Sequence, residues 1–141
     1  MTRVYWDTML FIYVLEAHPQ FGPKARRILE QIVNREAVLS TSVFTIGEIL
    51  TGPRRRGSAS GVEAVKKYFE SGAVEILPFT AATADRYSAV RSTHRVSQAD
   101  GIHLATAAEA GVDLFFTNDG GLRDLSIPGI KFFADLDGKT I

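Results

Sequence analysis

Short apolar runs alternate along the chain with longer stretches in which apolar residues recur every three or four positions. The runs at 4–6, 37–41, 74–77, 114–117 and 130–133 have strand length and are bounded by turn or capping residues. Helices are expected between them. Residues 8–17 are nearly all apolar and read as a buried helix. From 24 to 35, Ala25, Ile28, Leu29, Ile32 and Val33 recur at helical spacing, with Pro23 suited to a first helical position. A short helix over 43–50 follows Ser42 as its N-cap. Gly52 and Pro53 are expected to break that helix and leave Arg54, Arg55 and Arg56 in a loop. Val62, Val65 and Phe69 mark a helix ended by Gly72. Thr80 opens another, running to about Arg91. Ser97 caps an alanine-rich helix over 98–110, which Gly111 closes. Residues 118–121 read as a polar turn.

Strands alternating with helices predict an α/β fold, with a central, mainly parallel sheet of four to five strands covered on both faces. At 141 residues the chain suits one domain, and no repeat or linker divides it. There is no cysteine, which excludes disulfides, thiolate metal sites and a cysteine nucleophile. The charges balance at sixteen of each sign, so any case for nucleic-acid binding rests on local clustering. The longest apolar run, 9–15, is too short to cross a bilayer, and no cleavage pattern follows it. The cytoplasm is the default expectation, with no membrane partner.

Right-handed crossovers bring the carboxyl ends of parallel strands to one edge. Asp7 and Asp119 lie just past two such ends; Glu48 and Asp100 lie on helices that begin just after one or near it. Each acid has a plain explanation on its own. Asp7 suits a helix N-cap, Asp100 complements a helix dipole, Asp119 fits a turn and Glu48 fits a solvated face. Together they predict something else. Two carboxylates about 5 Å apart at an effective dielectric of about 20 repel by roughly 3 kcal/mol. Four at one edge call for a cation or for protonation, and an all-oxygen set suits Mg²⁺ or Mn²⁺.

The segments VYWDT, TSVFTIGEIL, SQADGIHLATAAEAGVDLFFTND and IKFF carry a resemblance over nearly the whole chain. The chain resembles the PIN-domain proteins, and in particular the VapC-type toxin ribonucleases of toxin–antitoxin modules. That resemblance implies a PIN-like three-layer α/β/α fold. It also implies an Mg²⁺- or Mn²⁺-dependent endoribonuclease acting on RNA, a homodimer, and an antitoxin partner whose segment lies near the first helices. Matched position by position, Asp7, Glu48, Asp100 and Asp119 become the acidic metal site, with Thr8 and Thr117 supporting it. One departure is Met9, where the family often carries a polar residue.

Two other classes remain in play. A catalytically silent PIN fold, binding RNA or protein, would have no need of four acids. An aspartyl-phosphate protein would want a second Asp where Met9 stands, or adjacent acids in place of Thr8 and a lysine beyond the last strand. Lys131 falls inside that strand instead. Arg54, Arg55 and Arg56 form the densest basic run; Arg91, His94 and Arg95 form a looser one. Either group suits RNA phosphates, and the triplet suits a solvated loop or an acidic partner equally well. His103 shares a helix face with Asp100 and reads first as a partly buried, hydrogen-bonded residue, then as a ligand or proton shuttle. His18 and His94 read as surface groups.

Overall fold

The computed structural model describes residues 1–138. Five strands form one sheet in the order β3-β2-β1-β4-β5: β1 (Arg3–Trp6), β2 (Val38–Ser42), β3 (Glu75–Leu77), β4 (Leu114–Phe116) and β5 (Phe132–Ala134). Every pairing is parallel. The helices are α1 (Thr8–Leu15), α2 (Phe21–Asn34), α3 (Val43–Arg55), α4 (Ala59–Glu70), α5 (Ala81–Thr93), α6 (Gln98–Ala110) and the single turn α7 (Gly120–Arg123).

Strand alternation sorts the core into two layers. Val4 and Trp6 face α1 to α4, where Leu10, Phe11, Ile28, Ile49 and Phe69 pack against them. Tyr5 and Phe115 face the other way, toward Val90, Leu104 and Ala107 of α5 and α6. The buried polar residues of β2 are satisfied internally. Ser40 Oγ donates to the Val4 carbonyl and Thr41 Oγ1 to the Trp6 carbonyl, each at 2.8 Å. Two of the expected caps form: Ser42 Oγ accepts from Phe44 N–H and Ser97 Oγ from Asp100 N–H. Gly111 ends α6 at φ 68.

Several boundaries differ from expectation. The largest correction is α3, which runs through Gly52 and Pro53 and takes in Arg54 and Arg55, with Arg56 as its C-cap. A mid-helix proline costs about 3 kcal/mol in isolation. Here Pro53 is buried against α4 so closely that a Cβ at Gly61 would lie 3.0 Å from its ring, and its carbonyl accepts from Ser58 N–H at 2.9 Å. Packing outweighs local propensity. In α2, Pro23 is the third residue rather than the first, still within the turn whose N–H groups lack intrahelical partners. The 118–121 turn tightens into α7, with Asp119 as N-cap. β5 begins two residues late because Ile130 packs into the core below α6, leaving Phe132 to pair with Leu114. Among the described residues, no helix is long and apolar enough to cross a membrane.

Candidate active site

The sheet changes direction at β1. From there β2 and β3 extend to one side and β4 and β5 to the other. The crevice beyond the carboxyl ends of β1 and β4 is therefore the switch point where open parallel sheets hold ligands. Asp7 leaves the end of β1, and Thr117 and Asp119 leave β4.

Asp7 occupies the N-cap position of α1, yet its side chain makes no capping hydrogen bond. Its Oδ1 is enclosed and has no hydrogen-bond partner among the described residues. Burial pushes the carboxyl up to about 6; His103, when charged, the Thr117 hydroxyl and the nearby Leu10 N–H oppose that rise, while the Asp100 carboxylate adds to it. Asp100 thus lies within electrostatic reach, on the first turn of α6.

Glu48 has turned to protein donors. Thr8 Oγ1 donates to its Oε1, and His103 Nε2 lies 3.0 Å from the same oxygen. Desolvation pushes Glu48 up, but these hydrogen bonds outweigh it and hold the carboxyl below its ordinary range. Asp119 is exposed, and its Oδ1 accepts from Gly121 N–H at 2.8 Å. Its own N–H donates to Thr117 Oγ1 at 3.1 Å, which ties it to the group beside Asp7.

The acids are thus gathered less tightly than the sequence suggests. Asp7 and Asp100 act on one another, Glu48 joins them through Thr8 and His103, and Asp119 is linked through Thr117. Among the described residues, no three His, Asp or Glu side chains stand close enough to hold a metal ion as they are placed. Two carboxylates have each found N–H or O–H donors, which offsets repulsion at the shared edge. What fits a hard cation is the all-oxygen donor set and the partnerless Asp7 Oδ1, a buried polar atom of the kind that is costly to leave unmatched.

His103 is buried and central. Its Nδ1 lies 2.7 Å from Tyr5 Oη, and its Nε2 lies 3.2 Å from Thr8 Oγ1 as well as facing Glu48. Phe44 meets the ring edge-on. The sequence offers no hint of Tyr5. Strand alternation turns it toward α6, but nothing local pairs it with a residue 98 positions away. His18 is not an isolated surface group: its Nδ1 accepts from Phe21 N–H at 3.0 Å and its ring stacks on Phe21. His94 is half-buried in a cleft beside Arg86 and Ile127.

Arg55 and Arg56 line a cleft of about 410 Å³ between α1, α3 and α4, together with Ile12, Leu15 and Glu48. Arg54 is exposed on the same helical turn, outside that lining, and Arg95 is exposed in the loop before α6. Leu15, which lines the cleft, and Met9 on the same helix each expose nearly half their surface.

No curated protein sequence matches the chain. Solved structures share its fold. VapBC2 from Rickettsia felis, determined with a fragment of promoter DNA, aligns at TM-score 0.75 and 16% identity, over 95% of this chain and 98% of that one. A toxin–antitoxin complex from Klebsiella pneumoniae aligns at 0.68 and 19%, over 90% and 94%. VapC20 from Mycobacterium tuberculosis, described as a Sarcin-Ricin loop cleaving toxin, aligns at 0.67 and 21%, over 83% and 90%. The PIN domain matches residues 4–128, nearly the whole chain. This chain belongs to the PIN-domain family.

Proposed function

We propose that the protein is a metal-dependent endoribonuclease, the VapC-type toxin of a toxin–antitoxin pair. The observation that carries this reading is Asp7 Oδ1, enclosed at the switch point beside Asp100 without a partner among the described residues. The structural neighbours that are a toxin–antitoxin complex and a Sarcin-Ricin loop cleaving toxin support the biological setting.

In this reading Asp7 and Asp100 hold Mg²⁺ or Mn²⁺ directly, Asp119 completes the set, and Glu48 offers its second oxygen. The bound ion supplies positive charge that acidifies water and offsets charge on the attacked phosphate. Thr8 steadies Glu48 and Thr117 steadies Asp119. Glu48, ionised and placed at the rim of the cleft, accepts the proton of the attacking water or orients it. Arg55 and Arg56 hold flanking RNA phosphates, with Arg54 and Arg95 at greater distance. The apolar part of the cleft, from Ile12 and Leu15 to Val65, seats an antitoxin segment, and the toxin pairs as a homodimer.

The test combines RNA cleavage with metal. Cleavage should require Mg²⁺ or Mn²⁺ and vanish in Asp7→Asn and Asp100→Asn, both of which should remain folded. Full activity in excess chelator removes the mechanism.

A silent binding module gains one observation in its favour, since Glu48 and Asp119 already have protein partners. Calorimetric titration with Mn²⁺ separates the two: a silent module shows no saturable site.

A further inference from the structure

A buried hydrogen-bonded group stands behind Glu48: Tyr5, His103 and Thr8. Tyr5 is wholly buried on the α6 side of β1. That hydroxyl faces His103 Nδ1 at 2.7 Å. The ionised Glu48 carboxylate can only accept, so Nε2 carries a proton, and in a neutral ring Nδ1 is then left to accept from the phenol. A neutral imidazole whose Nδ1 accepts carries its proton on Nε2. Nε2–H then donates to Glu48 Oε1 at 3.0 Å, an oxygen that Thr8 also serves. One carboxylate oxygen thus takes two donors, from α1 and α6, while Oε2 takes none among the described residues. The His103 ring has little freedom to turn, because Tyr5 and Phe44 both meet it edge-on.

We propose that His103 is a positioning residue for Glu48: held between Tyr5 and Phe44 with Nε2–H on Oε1, it fixes that oxygen inward and leaves Oε2 without a donor among the described residues, open to a divalent cation. The proposal rests on the nuclease reading for the metal, though the tautomer itself does not. A partner that orients a ligating carboxylate in this way typically changes metal affinity by about 10- to 100-fold when removed. It also explains the use of a histidine at a buried position of an otherwise alanine- and leucine-rich helix face. Only a side chain with two opposed nitrogens spans from the strand hydroxyl to the carboxylate.

Two measurements test it on the full-length protein. Nitrogen-15 NMR should find an unprotonated Nδ1 and a protonated Nε2 on His103; Tyr5→Phe should release that preference. Calorimetry with Mn²⁺ should find affinity reduced about 10- to 100-fold in His103→Leu and largely restored in His103→Gln, whose amide N–H reaches the Nε2 position. Should the leucine variant fail to fold, Tyr5→Phe carries the comparison, with a smaller loss of affinity expected. A protonated Nδ1, whether in the neutral or the charged ring, or a leucine variant that binds Mn²⁺ as tightly as the unsubstituted chain, overturns the positioning role and leaves the nuclease reading standing. An unsubstituted chain that neither binds Mn²⁺ nor cleaves RNA overturns both.

Discussion

Burial governs Asp7 more than any neighbour does. Its carboxyl rises from an ordinary 3.8 to about 6 because enclosure disfavours the charge. Between those values the folded chain holds a proton that the unfolded chain has lost. The group's contribution is therefore most favourable below about pH 4 and is lost as pH rises through 6, a swing of about 3 kcal/mol. In chelator, Asp7→Asn should match the unsubstituted chain in stability near pH 4 and exceed it by up to that amount at pH 7. Denaturant unfolding across this window measures the difference, and a constant gap would rule out a buried charge. The same residue marks how far sequence reaches at this scale. Its position as N-cap is legible from the chain, but the missing capping bond is not, because side-chain direction there depends on Thr117 and α6, which are distant in sequence.

At the scale of elements, α3 decides where the arginines stand. Local rules place Arg54, Arg55 and Arg56 in a loop after Pro53, whereas packing against α4 continues the helix and brings Arg55 and Arg56 to the wall of the cleft that Glu48 shares. A propensity penalty is a property of neighbours within a turn; the packing that overrides it comes from a separate helix. Two arginines on phosphates contribute about 0.7 each to the salt slope of single-strand binding. Replacing the triplet by serine should weaken RNA binding and lower the log–log slope by about 1.4, read by fluorescence anisotropy over a range of salt. An unchanged slope removes these residues from the RNA footprint. By contrast α6 was readable almost to the residue, since its cap Ser97, its alanine face and its terminal Gly111 are all local signals.

For the whole molecule, the junction between the last strand and α6 gives a sharp test of the fold. Gly129 has φ 102, and a Cβ there would lie 2.4 Å from the Ala108 carbonyl oxygen. Gly129→Ala should cost about 2 kcal/mol or more and lower Tm by about 5 °C or more. An unaltered Tm would mean that β5 and α6 are not packed as described. Metal removal is a test at the same scale. If distant acids act together, chelation should abolish RNA cleavage, and added Mn²⁺ or Mg²⁺ should restore it. Light scattering should find about twice the 15.5 kDa chain mass if the proposed homodimer forms in solution.

By itself the sequence determined the alternation of strands and helices, the parallel sheet, the serine caps of α3 and α6 and the residues that leave its strand ends. Each of these follows from preferences acting over a few residues and from apolar periodicity. The tertiary structure alone decided which oxygens are enclosed, which have partners and which remain free: Asp7 Oδ1 without a donor, Glu48 turned to Thr8 and His103, Tyr5 set behind that histidine. Desolvation and hydrogen bonding between elements depend on neighbours tens of residues apart, and those neighbours are fixed only when the layers close on the sheet.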